Sequence, residues 1–358
     1  MKLLVTGAGG MLGSALVPTL AEAGHDVWPT DLRMIPPTTF ATDHRGRVNG
    51  HSVPSGNGHA SYEPHPWGGL GLLDVRRPDH IADWMARVQP DMVVQLAAET
   101  DVDRCEADPD HAYATNALAT KHIALACQQA DVPLAYVSTA GVFDGQKDDP
   151  YTEYDEPRPI NVYGQSKLEG EHYVRWFLQR FYIVRAGWMV GGGDRDHKFV
   201  AKILRQLDEG AHTIYAVGDK WGTPTYAPDF ARCFTRLIDT ESYGLYHMAC
   251  LGQGTRYDVA KRILHVMGLE DEVELIEVDS EFFREAFPAP RPRSEMMRNY
   301  LLDLQGMNTM RPWEESLDEY LVTSFGDRCH GPAAAAARLK NANREKLRSG
   351  HQVRGGAG

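Results

Sequence analysis

The glycine-rich stretch VTGAGGMLG near the start of the chain is the feature that most constrains the fold. Gly7, Gly10 and Gly13 lie directly between a short apolar strand pattern at 2–6 and a helical apolar pattern at 11–23. Glycine permits a tight turn, and the N–H groups at a helix N-terminus bind phosphate groups. A turn of this kind, after a strand and before a helix, predicts a nucleotide-binding βα unit in which Met11 and Leu12 also face the ligand.

Strand and helix patterns alternate through the rest of the first half of the chain. Strands are predicted at 25–31, 91–97, 133–139 and 182–186, and helices at 77–88, at 109–130 and around 163–180. Strands that alternate with helices of ten or more residues indicate βαβ units and a parallel sheet. We therefore expect an α/β fold with a Rossmann-type, doubly wound parallel sheet in a domain spanning 1–186.

The second half is less regular and predicts a smaller, mixed α/β substrate-binding lobe over 187–327. Short strands are predicted at 213–217, 244–249 and 273–278, with helices at 197–209, 227–239, 256–267 and 314–325. The final segment, 328–358, combines an alanine run with basic residues, and we expect a flexible tail there.

Residues 33–70 interrupt the alternation. This segment is rich in Pro, Gly, His and Thr and has no usable periodicity, so we expect an insertion or long loop. Its four histidines suggest metal binding, but the composition of a loop accounts for them more simply. We therefore expect no metal site. These histidines are His44, His51, His59 and His65.

Composition excludes several function classes. The formal net charge of −12 argues against a nucleic-acid partner, which needs a basic surface. The 5 cysteines are scattered without a CxxC pair, which favours a reducing compartment over a disulfide framework. No apolar run approaches the roughly 20 residues that span a bilayer. We expect a cytoplasmic protein with no membrane partner.

Acidic and small residues at the strand ends extend the dinucleotide prediction. Asp31 closes the second strand, where a carboxylate binds an adenosine ribose and repels the 2′-phosphate of NADP. This favours NAD(H), with NADP(H) as the alternative because Arg33 lies two residues on. Asp74 and Val75 are placed to contact the adenine. The small residues after the next strand leave room for a dinucleotide: Ala97, Ala98 and Thr100.

The stretch YGQSK places Tyr163 and Lys167 on one face of a predicted helix. Such spacing alone is common by chance. A hydroxyl at the end of the fifth strand, Thr139, supplies a third polar group at the same edge of the sheet. An ordinary tyrosine has a pKa of about 10, and a nearby ammonium group lowers it. The three residues together predict a proton-donating site at which Thr139 holds a substrate carbonyl oxygen.

Motifs in this order give the chain a resemblance to the extended short-chain dehydrogenase/reductase family and, within it, to the dTDP-4-dehydrorhamnose reductases. The resemblance covers nearly all of 1–325 apart from 33–70. The stretches that carry it are VTGAGGMLG, LAAETDVDRCEADPDHAYATNA, YVSTAGVFDG, YTEYDEPRPINVYGQSKLEGE, RAGWMVGGG, GDKWGTPTYAPDFA, GLYHMA and APRPRSEMM.

The resemblance implies reduction of a 4-keto nucleotide sugar, with hydride from the nicotinamide and a proton from Tyr163. It implies that Thr139, Tyr163 and Lys167 are catalytic, that Tyr163 and Lys167 also contact the cofactor, and that Asn116 helps in proton relay. Thr139 and Tyr163 would contact substrate as well. The further residues implied at the substrate site are Val102, Trp188, Arg291 and Arg293, the two arginines binding a diphosphate or anchoring the lobe.

Two departures bear on the substrate. Ala140 and Gly141 replace the Asp-Tyr pair usual after the catalytic threonine, and Met189-Val190 replaces a usual Val-Tyr pair. Both changes remove polar groups near the sugar. Two alternatives therefore stay open: a nucleotide-sugar epimerase of the same family, or a non-catalytic dinucleotide-binding regulator. A homodimer through the helices at 109–130 and 163–180 is a further expectation.

Overall fold

A seven-stranded parallel sheet forms the centre of the computed structural model, which describes residues 1–32 and 70–352, with side chains through residue 342. The order of the sheet is β3-β2-β1-β4-β5-β6-β11. The strands of the chain are β1 Lys2–Thr6, β2 Asp26–Asp31, β3 Gly71–Leu72, β4 Met92–Gln95, β5 Leu134–Thr139, β6 Phe181–Ala186, β7 Trp188–Val190, β8 Thr213–Val217, β9 Trp221–Gly222, β10 Pro224–Tyr226, β11 Gly244–Met248, β12 Gly254–Thr255, β13 Glu274–Val278 and β14 Ser294–Glu295.

Helices cover both faces of this sheet. α1 and α8 pack together on one face, and α2, α5 and α6 pack on the other. The helices are α1 Met11–Glu22, α2 Pro78–Val88, α3 Val102–Ala107, α4 Pro109–Tyr113, α5 Ala119–Ala130, α6 Val162–Phe177, α7 Phe199–Asp208, α8 Ala227–Ile238, α9 Arg256–Met267, α10 Tyr300–Leu304, α11 Trp313–Phe325 and α12 Pro332–Gln352. The Rossmann-type α/β prediction is confirmed, because the sheet is parallel, buried on both faces and ordered as in doubly wound folds.

Short sheets and helices follow β6 in the C-terminal half of the chain. β8 pairs in parallel with β13, and α9 packs beside them. β9 joins β12 and β14, while β7 pairs with β10. These small sheets place residues around 188, 222 and 295 next to each other, which sequence spacing does not reveal.

Two features of the structure bear on the domain bounds expected from the sequence, which remain a prediction. β11, from the second half of the chain, pairs with β6 along residues 244–248 and completes the main sheet, so the Rossmann layer does not end at 186. Within the segment 328–358, α12 covers Pro332–Gln352 and buries Ala334 and Ala337, and residues 353–358 lie outside the described part of the chain. The alanine run of α12 favours a helix through intrinsic propensity.

The predicted insertion at 33–70, with its four histidines, lies outside the described residues except for Leu70, which is buried. Within the described ranges, no helix combines the length and apolar character needed to cross a membrane.

Candidate active site

A cleft of about 1770 Å³ opens at the carboxyl ends of the parallel strands. It lies where the strand order reverses between β1 and β4, which is where ligands bind to doubly wound sheets. Most residues singled out from the sequence line this one cleft: Gly7, Gly10, Met11, Leu12, Gly13, Asp31, Asp74, Val75, Ala97, Ala98, Thr100, Val102, Thr139, Tyr163, Lys167, Trp188 and Arg291. Asn116 and Arg293 are not among its lining residues.

The glycine-rich turn forms one end of the cleft. Gly7 has φ of +69°, and a Cβ there would lie 2.5 Å from the backbone nitrogen of Ala97. A Cβ on Gly13 would lie 2.3 Å from the carbonyl oxygen of Ala8, so only glycine fits. α1 begins at Met11 with neither a side-chain cap nor an acidic residue in its first turn. The free N–H groups of that turn fit the pyrophosphate of a dinucleotide.

Two carboxylates lie beside this turn. Oδ2 of Asp31 accepts a hydrogen bond from the backbone N–H of Gly9 at 3.0 Å, which fixes Asp31 at the adenosine end of the cleft. Asp74 instead accepts two hydrogen bonds from the side chain of Arg76, at 2.9 and 2.7 Å, and a third from its backbone N–H at 3.0 Å. The pKa of Asp74 is lowered, chiefly by the hydrogen bond from Arg76. The carboxylate expected to contact adenine is thus already paired with a cation that lines the same cleft.

Thr139, Tyr163 and Lys167 meet at the centre of the cleft. Thr139 ends β5 and its Oγ1 accepts a hydrogen bond from Gly141 N at 3.1 Å, while Tyr163 hydrogen-bonds to Thr139. Lys167 donates from Nζ to the carbonyl oxygen of Val137 at 2.8 Å. The backbone at Gly141, the position of one sequence departure, packs against the ring of Tyr163.

Burial controls the ionisation of this group. It raises the pKa of Tyr163 to about 12, against a smaller opposing effect of the hydrogen bond with Thr139. Burial also lowers the pKa of Lys167 to about 7, against the attraction of Glu171. The expectation of a lowered tyrosine pKa is therefore wrong for this structure, because burial is the largest influence on the Tyr163 phenol. Tyr163 remains a protonated phenol at neutral pH.

A buried ion pair supports the helix that carries Tyr163 and Lys167, and sequence reasoning missed it. Glu171, one turn after Lys167, accepts hydrogen bonds from Arg185 of β6 at 2.9 and 2.7 Å. Ser138 of β5 donates to the same carboxylate at 2.6 Å. These bonds fix α6 against two strands directly beneath the catalytic group. The only signal in the sequence was a glutamate four residues after the lysine.

Asn116 lies behind the catalytic group, in a π-helical turn between α4 and α5. Its side chain donates to the carbonyl oxygen of Glu99 and to Ser166 Oγ, both at 3.0 Å, and accepts from Glu99 N at 2.8 Å. Ser166 in turn donates to the carbonyl oxygen of Tyr163 at 2.9 Å. Asn116 thus connects to Tyr163 through the backbone of α6, and a part in proton relay stays a prediction.

Trp188 and Val102, which the sequence predicts to contact substrate, both line the cleft. The indole Nε1 of Trp188 donates to Glu295 at 2.7 Å, and the guanidinium of Arg256 stacks 3.8 Å from the ring centroid. Val102 begins α3 on the opposite wall. Glu295 and Arg256 were not identified from the sequence, because neither belongs to a recognisable motif.

The two late arginines are separated by the fold. Arg291 lines the cleft, but its guanidinium is paired with Asp103 at 2.5 Å and also donates to the carbonyl oxygen of Ala289 at 3.0 Å. Arg293 is exposed and paired with Asp148, outside the cleft. The structure therefore favours the lobe-anchoring role of Arg291 and does not bring Arg293 to the substrate side.

Comparisons with known proteins agree with this geometry. The dTDP-4-dehydrorhamnose reductase of Mycolicibacterium smegmatis is 29% identical over 333 residues, covering 92% of this chain and 88% of that protein. The spore coat polysaccharide biosynthesis protein SpsK of Bacillus subtilis is 31% identical over 320 residues, covering 89% of this chain and 96% of that protein.

Solved structures of dTDP-4-dehydrorhamnose reductases also superpose on this chain. The dTDP-4-dehydrorhamnose reductase of Clostridium acetobutylicum superposes with a TM-score of 0.75 at 32% identity, covering 90% of this chain and 99% of that one. The Bacillus anthracis enzyme of the same name, in complex with NADP, gives a TM-score of 0.74 at 28% identity, covering 90% and 99%. The family model for the RmlD substrate binding domain matches residues 1–325. The chain therefore belongs to the RmlD substrate binding domain family.

Proposed function

We propose that this protein is an NAD(P)H-dependent reductase of a 4-keto nucleotide sugar, an oxidoreductase of the short-chain dehydrogenase/reductase type. The observation that carries the proposal is the meeting of Thr139, Tyr163 and Lys167 in the cleft that also contains the glycine-rich turn. The names of the relatives at about 30% identity, dTDP-4-dehydrorhamnose reductases, support the substrate class.

The proposed chemistry assigns one task to each residue. A reduced nicotinamide, when bound, supplies the hydride for the ketone carbon. Thr139 orients the ketone oxygen by hydrogen bonding, and Tyr163 gives that oxygen its proton, so that the ketone becomes a secondary alcohol. The high pKa of Tyr163 means that this proton is present at neutral pH. Lys167, held by Val137 and by the ring of Tyr136 at 4.0 Å, supplies positive charge beside the developing phenolate.

For the cofactor, we propose a preference for NAD(H) with NADP(H) as a second substrate. Asp31, held by Gly9 at the adenosine end, disfavours a 2′-phosphate. Arg76 lines the same end of the cleft and could offset that repulsion. One relative's structure contains NADP, so both nucleotides belong in any assay.

For the assembly, we propose a homodimer through α5 and α6. Trp176 on α6 and Leu118, just before α5, expose 66% and 44% of their surfaces and would be covered in such a dimer. We further propose two functional parts, a dinucleotide-binding part built mainly from 1–186 and a substrate lobe from 187–327.

A cytoplasmic location is proposed because all 5 cysteines are unpaired and buried.

The test is oxidation of NADH and of NADPH by the purified protein against a panel of 4-keto nucleotide sugars. Turnover with at least one member is expected. Tightly bound NAD, with interconversion of epimers and no need for added NADH, would instead indicate the epimerase alternative. Cofactor binding with no turnover across the whole panel would indicate the non-catalytic binder and overturn the proposal.

A further inference from the structure

Lys198 and Arg256 are cations on the lobe side of the cleft that have no ion-pair partner among the described residues. Lys198 immediately precedes α7 and Arg256 is the first residue of α9, and both line the cleft. No carboxylate oxygen of a described residue lies within 4.0 Å of the charged nitrogens of either side chain, and neither makes a side-chain hydrogen bond to one. Arg256 contacts aromatic rings instead, those of Trp188 at 3.8 Å and Phe199 at 5.2 Å.

The neighbouring acids are occupied elsewhere. Glu295 accepts the indole N–H of Trp188 at 2.7 Å, and Asp196 accepts the backbone N–H of Lys198 at 2.8 Å and the hydroxyl of Tyr320 at 3.2 Å. Asp103 pairs with Arg291. Asp196, Asp101 and Glu295 attract Lys198, and Glu295 and Asp196 attract Arg256, but none of them forms a direct ion pair with either cation. Both charges therefore remain available to an anion that enters the cleft.

Arg256 is half-buried between two aromatic rings, whereas Lys198 is exposed at the cleft. Desolvation lowers the pKa of the Arg256 guanidinium to about 10. A partly buried charge without an ion-pair partner costs stability. Such residues fit a role in binding an anion.

The N-terminus of α7 adds to the positive potential. Its ten residues begin at Phe199 with no side-chain cap and no acidic residue in the first turn. Unsatisfied N–H groups at a helix N-terminus favour an anion. α9 differs, since Thr255 and Asp258 form a capping box that satisfies its first turn.

We propose that Lys198 and Arg256 bind the diphosphate of the nucleotide-sugar substrate and so help to determine its specificity. This inference rests on the proposed function. Lys198 and Arg256 thereby take the diphosphate-binding role that the sequence suggested for Arg291 and Arg293, both of which are paired with carboxylates. The substrate is favoured over the cofactor as the source of the phosphates because both cations belong to the C-terminal lobe, beside Trp188, whereas the glycine-rich turn at 7–13 serves the cofactor pyrophosphate.

The test measures binding of thymidine diphosphate and uridine diphosphate by calorimetry, separately from binding of NADH and NADPH. The variants are Lys198→Gln and Arg256→Gln. The controls are Arg205→Gln on α7 and Lys261→Gln on α9, each an exposed cation of the same helix outside the cleft. Each test variant is expected to bind the nucleoside diphosphate roughly tenfold or more weakly, as expected for loss of a charge-assisted contact. Cofactor binding should be unchanged, and the controls should match the wild type.

Two further readouts separate binding from a structural role. Added salt should weaken nucleoside diphosphate binding more in the wild type than in the double variant. Lys198→Gln should melt no lower than the wild type, because Lys198 is exposed and has no ion-pair partner.

Equal nucleoside diphosphate binding by wild type and both variants would overturn the inference and leave the proposed reductase function intact. If the variants lose affinity only for NADH or NADPH, the inference is overturned, because the two cations would then bind a phosphate of the cofactor. A wild-type protein that binds neither nucleoside diphosphate would overturn the inference together with the nucleotide-sugar assignment.

Discussion

Arg291 donates two hydrogen bonds to Asp103, at 2.5 and 3.2 Å, across 188 residues of sequence. The backbone N–H of Ala289 donates to the same carboxylate at 3.0 Å. Next to them, Asn161 donates to the carbonyl oxygen of Pro290 at 2.8 Å while accepting from Gly164 as the N-cap of α6. Asn161, the N-cap of the helix that carries Tyr163, thus also binds the 289–291 segment, and this fixes the position of that segment relative to Tyr163.

Tyr163→Phe is expected to lower kcat by about 100-fold to 10,000-fold, because the proton donor is lost while the ring remains. Cofactor affinity should be unchanged. Rapid-mixing kinetics of NADH oxidation measures the effect. Tyr173→Phe, on the same helix but outside the cleft, is the control. Retention of near-wild-type turnover by Tyr163→Phe would rule out the assigned proton donor.

Lys167→Met is expected to change how stability depends on pH. The native lysine releases its proton near pH 7 and the unfolded one near 10.5. Between these values the unfolded chain binds more protons, so the wild type gains stability as pH rises, by up to about 1.4 kcal/mol per pH unit. The variant lacks that contribution. Urea unfolding of both proteins at several pH values between 7 and 10 measures the difference, and a constant difference would contradict the lowered pKa.

Glu171→Gln is expected to destabilise the protein by about 3–5 kcal/mol, because it leaves the Arg185 guanidinium buried without its counterion. The double variant Glu171→Met, Arg185→Met should recover much of that loss. Glu169→Gln, which alters a partly exposed pair with His172, should change stability by less than about 1 kcal/mol. Denaturant unfolding tests all three, and a neutral Glu171→Gln would show that the pair does not support α6.

Gly222→Ala is expected to displace Trp188, since a Cβ at 222 would lie 2.2 Å from Cε2 of the indole. The displacement would break the bond to Glu295 and raise KM for the nucleotide substrate by roughly tenfold, with cofactor affinity unchanged. Gly326→Ala, where the same addition meets nothing within 4 Å, is the matched control. Identical KM values for the two variants would argue against a substrate role for Trp188.

Asp31→Asn is expected to shift cofactor preference towards NADPH. The amide oxygen can still accept from Gly9, but the charge that repels a 2′-phosphate is removed. The ratio of kcat/KM for NADPH to that for NADH should rise by about tenfold, a difference of roughly 1.4 kcal/mol. An unchanged ratio would place nucleotide discrimination elsewhere, with Arg76 the next residue to vary.

Local patterns were sufficient to predict the sheet and the grouping of Thr139, Tyr163 and Lys167. Both follow from one rule, that the carboxyl ends of parallel strands share an edge. The ion pair of Glu171 and Arg185 could not be predicted, since it depends on how α6 lies across β6. The same limit applies to Lys198 and Arg256, whose proximity to the cleft depends on the packing of two lobe helices. The pKa of Tyr163 was misjudged because burial is a property of the fold.

The pairing of β11 with β6 has a consequence for the production of fragments of this protein. A fragment that stops near residue 186, at the domain boundary expected from the sequence, ends with β6 as an open edge over residues 182–186. It would also lack α8, which covers α1. Such an edge recruits other chains and aggregates. The ribosome must therefore deliver residue 248 before the nucleotide-binding layer can close, and expression trials should treat both halves as one unit.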